Sequence, residues 1–138
     1  MPRLVVEKLA EALDRHSGRG LNRAHILLLG LAYKKNVDDI RESPSLRLIE
    51  MIEERGAAVD YHDPYVLVLP KTREHSALAG RKSVSLDAAN VAGYDAVLIA
   101  TDHDVIDYGA LVTAAKLVVD SRNACARAGA FAGNVVKV

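Results

Sequence analysis

Cysteine is nearly missing from this sequence, and so is any imbalance of charge. The one cysteine, Cys125, rules out an intrachain disulfide and offers no cluster of metal-ligating thiols. No apolar run comes near the length that would span a bilayer. The opening residues, MPRLVVEKLAEAL, mix Glu7, Lys8 and Glu11 among their apolar side chains and so make no secretory signal. Eighteen basic and eighteen acidic residues cancel, with no block of like charge, which argues against a general binder of nucleic acid or of anionic membranes. Repeats, low-complexity tracts and proline- or glycine-rich linkers are missing too, so the 138 residues are read as one cytoplasmic domain. What is abundant is apolar side chain: 50% of the residues are hydrophobic, enough to bury a core.

Short β-branched runs alternate with helical patterns, which predicts a single-domain α/β fold, a Rossmann-like doubly wound parallel sheet. Val5, Leu9 and Leu13 recur every four residues with Val6 on their face, predicting a helix over residues 2–15 that SGRG (17–20) ends. HILLLGLAY (25–33) reads as a strand apolar on both faces, as suits the middle of a parallel sheet. Ser43 is a good N-cap, and Pro44 sits at the first helical position, where its missing N–H costs nothing. That helix turns Leu48, Ile49, Met51 and Ile52 inward, and Gly56 stops it. AAVDYHDP (57–64) is a second strand, ended by Asp63 and Pro64. Residues 65–91 are the least legible; a short strand around SVSL (83–86) with a helical turn or two after it is the expectation. YDAVLIATD (94–102) and AKLVVDSR (115–122) are further strands flanking a helical DYGALVTAA, and NVVKV (134–138) adds a last one.

Ligands of open parallel sheets bind beyond the carboxyl ends of the strands, near the point where strand order reverses. The residues just past the strands are Lys34 and Lys35, then Asp63, then Thr101, Asp102 and His103, then Arg122. Arg41, shortly before the Ser43 cap, adds another cation to this edge, a pattern that suits an anion. There is no Gly-x-Gly-x-x-Gly in the chain; GLAYKK keeps only its first glycine. A phosphate would therefore have to be met by lysine and arginine side chains, not by the amides of a glycine loop. Asp38, Asp39 and Glu42 balance the loop's cations, and an arginine held by a neighbouring carboxylate keeps its fork oriented for a ligand. Charge-assisted bonds to phosphate are worth roughly 1.5–3 kcal/mol each, whereas solvated surface pairs give about 0–1 kcal/mol. The helix start behind the loop and Arg122 on a separate strand favour the anion reading over the surface one.

Other chemistry-bearing residues carry less. Cys125 has no histidine near it in sequence and is assigned no role. His103 between Asp102 and Asp104 fits a hydrogen-bonded histidine at a strand end better than a metal ligand, since nothing supplies further ligands at regular spacing. YHD (61–63) fits a packed turn. No catalytic residue and no metal site are therefore expected.

LLLGLAYKKNVDDIRESPSLRLIEMIEERGAAVDYHDP (27–64), followed by YDAVLIATDH and LVVDSRNA, resembles the C-terminal domain of the UDP-glucose and GDP-mannose dehydrogenases, the nucleotide-sugar 6-dehydrogenases. The likeness spans nearly the whole chain. It implies part of an enzyme that oxidises the sugar C6 alcohol of a nucleotide sugar to a carboxylate with two NAD+ and a catalytic cysteine, the dinucleotide motif and the cysteine segment belonging to other parts. Residues 1–20 would be a helical remnant of the central dimerisation region, and 21–138 the domain that closes over the nucleotide. By motif, Tyr33 and Lys34 match an aromatic–lysine pair that reaches the nucleotide sugar, with the lysine on its phosphates. Arg122 matches a strand-end arginine that holds the nucleotide, with Asn123 the neighbouring alternative, and Arg41 matches an arginine that contacts NAD bound mainly by another domain. No catalytic residue of the family maps here. GLAYKKNVDDIRESPS looks closest to bacterial members acting on UDP-N-acetylhexosamines. The resemblance implies as partners a UDP-sugar, the rest of the dehydrogenase chain and a homodimer or higher assembly, with the domain inactive alone. Two rivals stand beside it: a freestanding regulatory module for a nucleotide or coenzyme, and a purely structural domain in which Lys34 and Arg41 are inert.

Overall fold

In the computed structural model, which describes every residue except Met1, Tyr33, Glu42 and Phe131, an apolar run becomes the centre of a sheet. Strand β1 (His25–Leu29) is buried from Ile26 onward and pairs in parallel with β2 (Ala58–His62) on one side and β3 (Ala96–Ile99) on the other. Beyond β3 lie β4 (Val118–Asp120) and β5 (Val135–Lys137), so the order is β2-β1-β3-β4-β5, parallel throughout. The chain moves outward from β1 to β2 and then crosses back to β3. The reversal therefore falls between β1 and β3, and a crevice opens beyond their carboxyl ends.

Helices cover both faces, because alternate strand residues point to opposite sides and residues 26–29 of β1 and all of β3 are apolar. Ile26, Leu28 and Leu98 share one core with Val6, Leu9 and Leu13 of α1 (Pro2–Ser17) and Leu46, Ile49 and Ile52 of α2 (Pro44–Glu54). Leu27, Leu29, Val97 and Ile99 face Val91 of α3 (Ala88–Ala92), Leu111 and Val112 of α4 (Tyr108–Ala114) and Cys125 of α5 (Ala124–Arg127). Each fully buried Leu or Ile contributes about 1.5–3 kcal/mol before entropy is counted. The fold is thus the doubly wound α/β sheet expected.

Local signals set the helix ends. Ser43 Oγ accepts the Ser45 N–H at the head of α2, ahead of Pro44, and Arg55 with Gly56 at φ +92° ends the helix. Asp107 and Asp87 cap α4 and α3 in the same manner. The expected strand at 83–86 is corrected: SVSL forms no strand. Val84 N–H donates once to Tyr61 O (2.8 Å), and the nearest pairing is a lone antiparallel bridge between Val68 and Lys82. The segment crosses the edge of β2 held by such isolated main-chain bonds and by side chains, with Arg81 bidentate on Glu53 (2.9 Å each) and Tyr61 Oη donating to Arg81 O (3.1 Å). The helical turns expected after it are α3. No helix among the described residues is long and apolar enough to cross a membrane.

Candidate functional site

The loop after β1 is held by its own backbone amides. Gly30 takes φ +94°, which an L side chain rarely adopts, and an added Cβ would meet Thr101 O at 2.7 Å and Thr101 N at 2.8 Å. Its N–H donates to His62 O (2.9 Å). The next two amides, Leu31 (2.7 Å) and Ala32 (3.2 Å), donate to Oδ2 of Asp63, while Oδ1 accepts the Tyr65 N–H (2.8 Å). Thr101 Oγ1 donates to Ala32 O (2.8 Å) and Ser43 Oγ to Leu31 O (2.6 Å). Further along, the Asn36 N–H donates to Nδ1 of His103 at 2.7 Å. Since that nitrogen accepts, the ring proton sits on Nε2, which donates to Asp63 Oδ2 at 2.9 Å. These internal bonds explain why the strand-to-helix connection is charged and not glycine-rich. The Gly30, Leu31, Ala32 and Asn36 amides are already committed inside the protein, which favours meeting an anion here with side chains.

Those side chains gather at the crevice. Lys34, Lys35, Pro44, Asp102 and Arg122 line an open cleft of 530 Å³. Lys34 and Lys35 come from the loop after β1, Arg122 from just past the end of β4, and Pro44 is the first residue of α2, whose positive dipole end opens there. Arg122 is oriented by its Nε bond to Ala100 O (2.9 Å) and its N–H bond to Asp120 Oδ1 (3.0 Å). The acid in the cleft, Asp102, is engaged by Arg127. Lys35 lies 3.6 Å from Asp104, whose carboxyl the Asn36 amide group holds below the usual range. The rim is therefore net cationic, with two lysines and an arginine around one carboxylate.

Two of the expected binding residues, Lys34 and Arg122, are thus brought together. Arg41 is not: it lines a neighbouring 430 Å³ groove with Ile40, Arg47, Thr72, Arg73 and His75. Its guanidinium, 87% exposed, pairs with Asp39 at 3.0 Å and pulls that carboxyl down to about 2. Tyr33 lies outside the described residues. Asn123, the alternative to Arg122, adopts φ +60° and faces a different hollow, with Cys125 and Lys137. Sequence reasoning found His103 as a bonded strand-end histidine but missed its partner Asn36, whose φ of +64° is a conformation asparagine tolerates better than most residues. The surviving signal was an asparagine directly after the two lysines.

Electrostatics separate structural from ligand-facing groups. Asp63 is fully buried; burial would raise its carboxyl, yet the His103 bond and the Leu31 and Tyr65 amides outweigh it and hold the group below its ordinary 3.8. Cys125 is pushed up to about 12, by burial first and then by the Asp120 carboxylate, so its thiol is inert near neutrality. Among the described residues, no group of three or more His, Cys, Asp or Glu is disposed to hold a metal ion.

The family model for the UDP binding domain of the UDP-glucose/GDP-mannose dehydrogenase family matches residues 27–127, from β1 through α5 and including every residue of the cleft. The chain belongs to this family. Among its relatives, UDP-N-acetyl-D-mannosamine dehydrogenase of Methanococcus maripaludis is 33% identical over 105 residues, covering 76% of this chain and 21% of that protein. UDP-glucose 6-dehydrogenase TuaD of Bacillus subtilis is 32% identical over 126 residues, covering 86% of this chain and 25% of its own. The structure of a UDP-glucose dehydrogenase from Pyrobaculum islandicum superposes with a TM-score of 0.68 at 32% identity, over 98% of this chain and 28% of that one. The chain spans about a quarter of the length of these dehydrogenases.

Proposed function

We propose that this chain is the nucleotide-holding domain of an NAD-dependent nucleotide-sugar 6-dehydrogenase, acting in the cytoplasm within a homodimer or higher assembly. The observation that carries the reading is the cleft: Lys34 and Arg122, delivered by the segments that follow two different strands, meet at the β1–β3 crevice, where the Gly30, Leu31 and Ala32 amides are already spent. Lys34 grips the diphosphate of a UDP-sugar and Arg122 steadies it from the opposite wall, with Tyr33 contributing its ring to the nucleotide sugar. The domain's contribution is orientation. It holds the nucleotide so that the sugar C6 lies where the chemistry happens, and such positioning is worth several kcal/mol in a bimolecular step.

NAD fits this chain poorly as a resident group. The Gly30 turn is packed against Thr101 and its N–H is bonded to His62 O, leaving no glycine-lined cradle there for a pyrophosphate. Arg41, outside the cleft, adds at most one side-chain contact to a coenzyme held by another domain. Residues 1–20 belong, in this reading, to the connection from the central region of the enzyme.

Titration of the 138-residue chain with UDP, UDP-sugars, GDP-mannose and coenzyme A, followed by calorimetry and amide NMR, tests the proposal. UDP should perturb the amides around Lys34 and Arg122 at millimolar concentration, with affinity falling as salt rises. Lys34→Ala and Arg122→Ala should each weaken binding about tenfold, the loss of one charge-assisted bond at an exposed site. Undiminished binding in both variants, or tight selective binding of coenzyme A, would overturn it.

A further inference from the structure

We propose that His103 is the positioning residue of the anion cleft: gripping the Asn36 amide with Nδ1 and Asp63 with Nε2, it fixes the Lys34 and Lys35 turn over the crevice. This rests on the nucleotide-binding reading above and assigns a second layer behind it. His103 is completely buried and touches no ligand-accessible surface, so it can act on an anion only through the loop.

The geometry makes His103 the hub between three strand ends. From the β2 side, Asp63 accepts its Nε2 proton, and the ring of Tyr65 stands edge-on to the imidazole with centroids 4.8 Å apart at 68°. From α4, Tyr108 Oη donates to the His103 carbonyl at 2.8 Å. From the loop after β1, the Asn36 N–H reaches Nδ1, and the Asn36 side chain closes a second pair with Asp104, donating to its carboxylate (2.7 Å) and accepting its N–H (2.8 Å). Asn36 is thereby held in its left-handed conformation immediately after the two lysines. The Nδ1 bond ties this turn to a buried group, whereas the Asp104 pair is solvent-exposed and so weaker.

A histidine that merely fills space and a histidine that positions the loop answer differently to two near-isosteric substitutions. In His103→Asn, the side-chain oxygen stands where Nδ1 stands and can still accept the Asn36 N–H. Asp63 then loses one donor but keeps the Leu31, Ala32 and Tyr65 amides. In His103→Gln, the terminal amide reaches Asp63 in place of Nε2, and the Asn36 N–H is left with no acceptor. UDP affinity should stay within about twofold in His103→Asn and fall about tenfold in His103→Gln, the equivalent of one hydrogen bond holding the loop.

The experiment uses the isotopically labelled 138-residue chain. A scalar coupling across the hydrogen bond between the Asn36 amide nitrogen and His103 Nδ1 should be present in the wild type, and the Asn36 amide should shift as UDP saturates the cleft. Urea unfolding of each variant runs alongside. His103→Gln binding UDP as well as wild type, both variants weakening in step with lost stability, or an Asn36 amide indifferent to UDP would each overturn the proposal. A wild-type cleft that takes no UDP would sink the nucleotide reading itself, and this proposal with it, even with the coupling observed.

Discussion

Replacing Asp63 with asparagine is the sharpest test of how the loop is built. The carboxylate is fully buried and takes four N–H donors: Leu31, Ala32 and His103 on Oδ2, and Tyr65 on Oδ1. An amide has one acceptor oxygen. Oriented to keep the three donors at the Oδ2 position, the substituted side chain of Asp63→Asn would turn its NH2 against the Tyr65 N–H. The loss is one charge-assisted bond of about 1.5–3 kcal/mol, plus weakening of the other three as the charge disappears. A total near 3–5 kcal/mol is expected, a large share of the roughly 5–15 kcal/mol that holds an ordinary domain together. With a urea slope of about 2 kcal/mol per molar, the midpoint should drop by about 2 M. Acid should narrow the gap. The folded-state pKa of Asp63 lies below the ordinary 3.8, so its stabilisation is complete above that value and is lost as pH falls through the folded pKa. Urea titrations followed by circular dichroism at about pH 7 and about pH 3 measure both effects. A midpoint within about 0.3 M of wild type at neutral pH, or a gap unchanged in acid, would refute the account.

Two other outcomes are expected. Gly30→Ala should lower Tm by roughly 6 °C or more, since a positive φ costs about 1–2 kcal/mol for an alanine and its methyl presses on the Thr101 backbone; an unchanged Tm in calorimetry would contradict the strain. Cys125, 1% exposed and with its thiol pushed up to about 12, should resist thiol reagents at mildly alkaline pH until the protein is unfolded, and rapid stoichiometric labelling of the native chain would show that burial is not protecting it.

The sheet was legible because its strands are unambiguous: Ile26 to Leu29 and Ala96 to Ile99 are apolar without interruption, and only burial on both faces accommodates that. The start of α2 was legible for a different reason, since Ser43 and Pro44 encode a cap and a first turn locally. Residues 83–86 misled because alternation of Val84 and Leu86 with serines mimics a strand, while the segment is held by scattered bonds to distant residues, among them Val84 N–H on Tyr61 O and the Asp63 N–H on Ser83 Oγ, with Arg81 on Glu53 just before it. At the site, the basic residues past the strand ends could be read directly, but the fate of the amides could not. Nothing in GLAYKK announces that Leu31 and Ala32 point at a carboxylate 31–32 residues downstream, or that Asn36 meets His103 across 67 positions. Arg41 shows the opposite limit: a partner two residues away, Asp39, takes up its guanidinium beside a separate groove, away from the cleft its sequence position suggested.

Helix α1 carries a practical consequence. It packs on α2 and β4, and its Val6, Leu9 and Leu13 lie in the same core as Leu98 and Val119. Trimming the polypeptide after Ser17 would peel the lid from that oily strip and leave a sticky patch on one side of the sheet, inviting aggregates in which nucleotide titrations mean little. Expression plasmids for the experiments above should keep Pro2 onward intact.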